Sequence, residues 1–484
     1  MTSKKWLVMF ISTLSLVLLL YGGFNIAVDP FGVFGDPILD WYSYNETLNP
    51  RAAKIAYIDA NRDEYDSFVL GSSSAASYDP AKLNKYTGGR WYNLFVYGCD
   101  AADYLAYTKY LLASGEVKQI LLNLGLNEAN YYDTPSESIA DREHYLVTGD
   151  NPLTYSLDHA YASLSYSFEK LSSRATDTEL PQVFDVFNPD TGCYDKRVRD
   201  IEPIGDMEYY LSRHSGDFPE VGSGNTLPHA SDCASAVAEI VRLCEESGVE
   251  LTVVFSPAYI SQWNASTVEA ISSFKRQIGE ITDFWDFSLT PLSYDSRYFY
   301  DDTHFRNGLG DMVLARIWGG DIWLPDGFGS LVSADTLDGF LDGLSDVRQL
   351  EEGEYAITVP ILLYDAAVPE AHRKALTDAE YNVVSAADLI AYVERGTSLP
   401  ERAVCLLSSA SDCYIYPDGS EASDETEAIL RADGVALTVL RGDPGYRNTL
   451  VKGLPQTLRR LGSILVDADA SAQQIVQIVR SAFV

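Results

Sequence analysis

The chain has 484 residues, with 70 acidic against 35 basic side chains and a formal net charge of -35. This excess of acid disfavours a nucleic-acid-binding role, because affinity for phosphates comes mainly from clustered Lys and Arg. Hydrophobic residues make up 46% of the chain, an ordinary globular value that excludes wholesale disorder. At about 150 residues per domain, the length predicts two or three domains.

An apolar run from Trp6 to Phe24 follows Lys4 and Lys5 near the amino terminus. Its length suits one helix that crosses a bilayer, so residues 1–29 are predicted to be a transmembrane anchor. A cleaved signal peptide is the alternative, although its apolar region is usually only about 7–15 residues. Because the lysines precede the span, the positive-inside rule predicts a single-pass cell-membrane protein with an extracytoplasmic body.

Apolar runs that alternate with helix-like stretches follow the anchor, a pattern typical of a parallel sheet with helices on its faces. Residues 30–322 are predicted to form this first α/β domain. Its predicted strands are 67–70, 91–96, 117–124, 251–255 and 283–287, and its clearest helices are 230–247 and 308–318. Residues 130–227 show no clean period and predict an inserted helical cap or lid. Tyrosines in such an insertion more often form the core of a helical cap than stack on sugar rings, so the cap core is the favoured interpretation here.

A second, smaller α/β domain is predicted over residues 355–484. Residues 323–354, rich in Gly and Asp, are predicted to be a linker with one short helix. The predicted strands of the second domain are 356–364, 403–407 and 436–440, and its predicted helices are 386–395, 424–433 and 470–483.

Six cysteines in a chain predicted to be exported permit disulfides. Cys405 and Cys413 are close enough in sequence to bridge a small loop, and this is the only local pairing that the spacing suggests. The sequence has no Cys-x-x-Cys pair, which disfavours a redox motif or a thiolate zinc site.

A candidate nucleophile follows the first predicted strand. Ser73 comes two residues after Gly71, just past the strand's carboxyl end, where open α/β sheets bind ligands. Gly-Ser-Ser is also ordinary turn composition, so this signal is weak by itself. Ser72 and Ser74 flank Ser73, and the sequence leaves open which of the three hydroxyls would react.

A candidate base lies near the end of the first domain. Asp301 and His304 are three residues apart, so one short segment could supply both a general base and the group that orients it. An aspartate that caps the following helix, beside a surface histidine, is the alternative. Gly98 and Asn127 follow the second and third predicted strands and could donate hydrogen bonds to an oxyanion.

With these residues the sequence resembles the SGNH hydrolase family, also called GDSL-like esterases. The family pattern has Gly-Asp-Ser after the first strand, Gly after the second, Gly-x-Asn-Asp after the third and Asp-x-x-His near the end of the domain. The corresponding segments here are 71–73, Gly98, 125–128 and 301–304. Ser72 and Glu128 replace two family aspartates, as in the membrane-anchored branch similar to the D-alanine transfer protein of teichoic acid and the alginate O-acetylation proteins.

The resemblance implies a three-layer α/β/α fold and a serine esterase or O-acyltransferase acting on a cell-envelope polysaccharide or a teichoic-acid-like polymer. It makes Ser73 the nucleophile, His304 the base and Asp301 its orienting group. The Ser73 amide, Gly98 and Asn127 would form the oxyanion hole. It implies no metal and no cofactor, and it allows an integral-membrane acyl-donor protein as partner. The alternative function is a non-catalytic glycan-binding or assembly scaffold, and the choice between hydrolysis and transfer stays open.

The carboxyl-terminal domain bears a fainter resemblance to extracellular polysaccharide deacetylases, through residues 359–364, 398–404 and 434–439. Those enzymes are metal-dependent and need an Asp-Asp pair after the second strand and a His-x-x-x-His pair downstream. This chain has no histidine after His372. The domain is therefore predicted to be either a degenerate, catalytically inactive module of that kind or an unrelated small α/β domain.

Overall fold

The computed structural model divides the chain into two compact units. The described residues are 3–35, 49–130, 138–175, 186–187, 191–195, 211, 214–220, 222–320, 324–347, 349, 361–364, 368–379, 382–385, 403–408, 437–439, 463–466 and 469–481. The first unit comprises Met1–Ala175, Phe187–Tyr194 and Phe218–Glu351, and the second comprises Thr176–Val186, Asp195–Asp217 and Glu352–Val484.

The chain begins with a helix over Ser3–Val28. By length and composition this helix could cross a membrane, and only 6% of its most apolar window is buried inside the protein. The predicted anchor therefore has the required length and apolarity, which an amino-terminal signal sequence would also have.

A six-stranded sheet forms the centre of the first unit. Its strands are β1 (Ser67–Gly71), β2 (Trp91–Phe95), β3 (Gln119–Leu124), β6 (Glu250–Phe255), β7 (Phe284–Asp286) and β8 (Ser330–Val332), while β4 (Val186–Phe187) and β5 (Tyr194–Asp195) form a separate two-stranded sheet. The order is β2-β1-β3-β6-β7-β8, parallel except for β8, which runs antiparallel to β7. The predicted α/β class with a mostly parallel sheet is confirmed, and the five predicted strands all occur with ends shifted by at most a few residues.

The strands lie at the centre because their side chains are apolar on both faces. Every residue of β1 and β2 is buried, as expected for near-continuous apolar strands covered on both sides. The described helices of the first unit after the amino-terminal one are Pro50–Ala60, Pro80–Thr87, Ala101–Ser114, Asn127–Asn130, Tyr145–Thr148, Pro152–Ala160, Leu164–Ala175, Ala230–Ser247, Ile260–Asn264, Val268–Gly279, Asn307–Trp318 and Leu337–Asp342.

Helices of the first unit pack against one another in two groups. Ala230–Ser247 packs against Ala101–Ser114 and Val268–Gly279, and Asn307–Trp318 packs against Pro80–Thr87. The helix Ala230–Ser247 has the predicted bounds, and Asn307–Trp318 begins one residue before its prediction.

The segment predicted as a linker, 323–354, differs from that prediction in its described part. Ser330–Val332 adds β8 to the edge of the sheet, with Val332 opposite Phe284. The short helix that was expected occurs at Leu337–Asp342 and packs against a neighbouring helix. Val332 and the leucines of this helix are buried, so a few scattered apolar residues override a Gly- and Asp-rich composition.

The described part of the predicted insertion is helical, with two short strands. Its tyrosines divide into two environments. Tyr155 is buried and packs against His144 and His159, as the cap interpretation expects, whereas Tyr161 is exposed. Tyr131 and Tyr132 lie outside the described residues.

The second unit contains a five-stranded sheet of order β10-β9-β11-β13-β12. Its strands are β9 (Ile361–Tyr364), β10 (Asn382–Ser385), β11 (Ala403–Ser408), β12 (Leu437–Val439) and β13 (Ser463–Val466), and its described helices are Glu370–Asp378 and Ala472–Ser481. β12 pairs antiparallel with β13, and the other pairs are parallel. The helices predicted at 386–395 and 424–433 lie outside the described residues. Cys413 does too, so its pairing with Cys405 stays a prediction.

Candidate active site

A tight turn follows β1 and carries the three consecutive serines. Gly71 ends the strand, and Ser73–Ser77 forms a short 3-10 helix. A Cβ atom at Gly71 would lie 2.5 Å from the Cβ of Ala75 and 2.9 Å from the Cβ of Asn123. Glycine is therefore required here because the turn folds back closely onto the sheet.

Two fully buried asparagines hold this turn in place. Asn93 on β2 donates from Nδ2 to the carbonyls of Ala75 (2.8 Å) and Tyr78 (2.9 Å). Asn123 on β3 accepts from the Tyr78 hydroxyl (2.9 Å) and donates to Ser74 Oγ (3.0 Å). Sequence reasoning missed both residues. The available signal was a polar amide inside an otherwise apolar strand, because a buried amide needs hydrogen-bond partners.

The loop that carries the candidate base is fixed by aromatic anchors. Phe299, Tyr300 and Phe305 are fully buried, and the Tyr300 amide donates to the His304 carbonyl at 2.8 Å. Ser77, at the end of the serine turn, donates from Oγ to the Phe305 carbonyl at 2.8 Å. The loop and the serine turn are thus joined directly, although they are far apart in sequence.

Ser73, His304 and Asp301 form one chain of hydrogen bonds. His304 Nε2 lies 2.8 Å from Ser73 Oγ, and His304 Nδ1 lies 2.9 Å from each carboxylate oxygen of Asp301. The amides of Thr303 and His304 also donate to Asp301 Oδ1, at 2.9 and 2.7 Å. With a proton on Nδ1, held by the carboxylate, Nε2 is an acceptor for the serine hydroxyl.

The Asp301 carboxyl group stays ionised in this setting. Burial alone would raise its pKa, but hydrogen bonds from the His304 side chain and from the two backbone amides outweigh that effect and lower the pKa to about 2. A permanent negative charge beside Nδ1 stabilises the imidazolium that forms when the histidine accepts a proton.

The three serines of the turn have different partners. Ser73 Oγ contacts the imidazole, Ser72 Oγ donates to Glu128 Oε1 at 3.2 Å, and Ser74 Oγ accepts from Asn123. Of these three hydroxyls, the Ser73 hydroxyl is therefore the one that forms a hydrogen bond with the His304 imidazole.

Glu128 ties the loop after β3 to the serine turn. It is buried and accepts from the Gly125 amide and the Tyr104 hydroxyl, both at 2.9 Å, as well as from Ser72. Burial raises the pKa of this carboxyl group against the opposing effect of its hydrogen bonds. In the sequence Glu128 stood out only as a departure from the SGNH pattern, and in the structure its carboxylate spans the two loops.

A cavity of about 290 Å³ opens beside Ser73. Gly98 and Asn127, the two further predicted site residues, also line it. The full lining is Ser72, Ser73, Ser74, Gly98, Cys99, Asp100, Gly125, Leu126, Asn127, Glu128, Ser256, Pro257, Ala258, Gln262, Ser288, Asp302 and Thr303. Gly98 has a φ of 61°, in the left-handed region that favours glycine.

Arg51 is a further residue that sequence reasoning missed. Its guanidinium donates to the Tyr97 carbonyl (3.2 Å) and pairs with Asp103 (3.0 Å) and Glu143 (2.6 Å). In a trans peptide the N–H points opposite to the C=O, so a fixed Tyr97 carbonyl directs the Gly98 N–H away from Arg51. No short-range sequence signal connects Arg51 with Gly98, because the contact joins distant parts of the chain.

Within the described part of the chain, no group of three or more His, Cys, Asp or Glu side chains could hold a metal ion. The sequence matches no protein-family model, and a search of curated proteins finds no significant match either. The serine, imidazole and carboxylate geometry is the feature of the site that indicates a class of chemistry.

Proposed function

We propose that this chain is a membrane-anchored, extracytoplasmic SGNH-type serine esterase or O-acyltransferase that acts on a cell-envelope polysaccharide or a teichoic-acid-like polymer. The observation that carries the proposal is the hydrogen-bonded chain Ser73–His304–Asp301 beside a cavity. The three-layer α/β/α arrangement and the extracytoplasmic location belong to the same proposal.

In the acylation half, the Ser73 oxygen attacks the ester carbonyl carbon while His304 Nε2 takes the hydroxyl proton. The negative charge that develops on the carbonyl oxygen is stabilised by N–H donors, for which we propose the amides of Ser73 and Gly98 and the side chain of Asn127. Collapse of the tetrahedral intermediate breaks the bond to the leaving alcohol, which takes the proton from His304. The acyl group remains on Ser73.

In the second half, an acceptor O–H gives its proton to His304 while its oxygen attacks the acyl-enzyme, and Ser73 leaves with that proton restored. Water as acceptor gives hydrolysis, and a sugar or polyol hydroxyl gives transfer. A cavity of about 290 Å³ is near the lower end of ligand cavities, which suits a short acyl group rather than a long chain.

Residues 355–484 lack the sequence pattern of a deacetylase-type metal site. A deacetylase-like metal site would need imidazole ligands, and the sequence has no histidine after His372. We propose that this part of the chain is a non-catalytic module.

Labelling of the full-length protein with a fluorophosphonate probe tests the proposal. Wild type should be labelled, Ser73→Ala should lose the label and His304→Ala should lose most of it. Ser72→Ala and Ser74→Ala are matched controls that keep the imidazole contact and should retain the label. A folded wild-type protein without label would contradict the proposal and favour the scaffold alternative. Undiminished label on Ser73→Ala would contradict the assignment of Ser73 as the nucleophile.

A further inference from the structure

The amino-terminal helix is attached to the first unit by its carboxyl end. Residues 3–20 are exposed on all sides, whereas Gly22, Asn25 and Val28 are buried. This end contacts the helices Pro152–Ala160 and Leu164–Ala175 of the insertion. The helix is therefore packed into the unit over its last two turns.

Hydrogen bonds fix this attachment. Asn25 donates from Nδ2 to the carbonyls of Ala160 (3.0 Å) and Ala162 (2.8 Å), and its Oδ1 accepts from Ser167 Oγ at 2.7 Å. The Tyr21 hydroxyl donates to the Ala162 carbonyl at 2.8 Å. The buried amide of Asn25 thus has hydrogen-bond partners for both its oxygen and its nitrogen in the insertion. The helix and the insertion should therefore move as one body.

Four large apolar side chains are exposed beside this attachment. They are Leu153 (68% exposed), Leu157 (46%), Tyr161 (43%) and Phe168 (58%). The first three are spaced by four residues, which places them along one side of the chain. Soluble proteins rarely cluster such residues on their surface without a binding role.

Two of the four residues contact the helix that is proposed to span the membrane. Tyr161 stacks on Tyr21 with ring centroids 6.1 Å apart, and the ring of Phe168 meets that of Phe24 at 5.5 Å. As a helix, the apolar run that ends at Phe24 extends about 28 Å, close to the hydrocarbon thickness of about 30 Å. Tyr21 and Phe24 would thus lie where the span leaves the hydrocarbon, the level at which aromatic side chains concentrate.

We propose that Leu153, Leu157, Tyr161 and Phe168 form a membrane-docking face that inserts into the lipid of the leaflet in which the span ends. This inference rests on the membrane anchor of the proposed function. Asp158, which follows Leu157, is paired with Arg142 at 2.8 Å, and Arg142 also pairs with Asp150 at 3.1 Å. The face would hold the first unit against the bilayer in a fixed orientation.

Photocrosslinking in lipid nanodiscs tests this face on the full-length protein. A benzophenone amino acid replaces one leucine at a time, and the bilayer contains phosphatidylcholine with a clickable acyl chain. Leu157 is the test position and Leu18, within the proposed span, is the positive control. Leu331 is the matched control, because it is similarly exposed (52%) but lies on the edge strand β8.

We expect lipid adducts at positions 18 and 157 and no lipid adduct at position 331. An adduct at 18 without one at 157 overturns the docking face alone. No adduct at 18 overturns the anchor, and the docking face with it. A protein adduct in place of lipid at 157 also overturns the inference. None of these readouts requires an active serine, so they are independent of the fluorophosphonate result.

Discussion

Two histidine–aspartate pairs of the first unit show the same local spacing in different surroundings. At the start of the helix Ala230–Ser247, His229 Nδ1 lies 3.2 Å from Asp232, whose side chain is 64% exposed. In the loop after Tyr300, His304 Nδ1 lies 2.9 Å from Asp301, whose side chain is only 27% exposed. A spacing of three residues is enough to form either pair.

The difference lies in what long-range folding adds to the second pair. Buried aromatic residues fix the loop of His304, and the sheet brings Ser73 to its second ring nitrogen from 231 residues away. An Asp–His motif therefore becomes informative about function only with its third partner. Variants of the two histidines and of the two aspartates test whether that third partner distinguishes the pairs. The remaining variants test other residues of the first unit.

Replacement of the two histidines should give the largest contrast. His304→Ala removes the proposed base and should lower kcat/KM for p-nitrophenyl acetate by about 10⁴-fold or more. His229→Ala should leave kcat/KM within about twofold, since its loss affects a half-exposed helix start. Similar losses in both variants, with both folded by circular dichroism, would contradict the comparison.

Replacement of the two aspartates should give the next largest contrast. Asp301→Asn keeps the shape of the side chain but removes the charge that holds the proton on Nδ1, so kcat should fall by about 10³-fold or more. Asp232→Asn is the matched control and should change kcat little. Steady-state kinetics of both variants would show the result, and an active Asp301→Asn enzyme would remove Asp301 from the mechanism.

Asn127 tests the proposed oxyanion hole. Asn127→Ala should lower kcat by about 10²-fold with little change in KM, because the lost donor acts mainly in the transition state. Asn130→Ala, at the other end of the same short helix, should keep its activity. A rise in KM with unchanged kcat would indicate that Asn127 binds the ground-state substrate instead.

Arg51 tests whether the orientation of the Gly98 peptide matters. Arg51 is a positioning residue that acts through the Tyr97 carbonyl. The Arg51→Gln substitution should therefore lower kcat by about tenfold and leave KM unchanged. Arg51→Lys keeps a donor and should recover part of this loss. Arg276→Gln, which breaks the exposed pair with Asp338, is the control. A lower melting temperature with unchanged kcat would mean a purely structural role.

Asp66 has a low carboxyl pKa like Asp301 but has no proposed role in catalysis. Burial opposes ionisation of Asp66, but hydrogen bonds from Arg90, Lys118 and Ser67 outweigh it and lower its pKa to about 2, as for Asp301. The unfolded value is about 3.9, so the ionised carboxylate should contribute about 2 kcal/mol of stability above pH 4. This contribution is lost as pH falls through about 2.

Asp66→Asn should therefore lower the melting temperature of the protein at pH 7, and the gap to wild type should narrow between pH 4 and pH 2. Its kcat/KM at pH 7 should stay unchanged. Thermal unfolding across that pH range provides the measurement, and a gap that widens toward acid would show that the sign is wrong.

The sequence predicted the five parallel strands of the first sheet because their apolar runs are long and bounded by turns. It also identified Ser73, Asp301 and His304, which the fold brings within hydrogen-bond distance, because these side chain types stand out at strand ends and in a short motif. It left open which of the three serines would react. That distinction depends on which hydroxyl the imidazole contacts.

Other features depended on contacts that no local pattern encodes. Asn93, Asn123 and Arg51 act across distant segments, and each reads as an ordinary polar residue in sequence. β8 was hidden in a Gly- and Asp-rich stretch, since it is a three-residue edge strand. The helix Glu370–Asp378 in the second unit was missed because most of its residues are polar and only His372 and Leu376 are buried.

The most direct test of the central claim is to locate the acyl group on the enzyme. Full-length protein is incubated with p-nitrophenyl acetate, quenched in acid, digested and analysed by peptide mass spectrometry. The account predicts an acetyl group on Ser73 that is absent in Ser73→Ala. Acetylation of Ser72, of Ser74 or of a residue outside the turn, unchanged in Ser73→Ala, would contradict it.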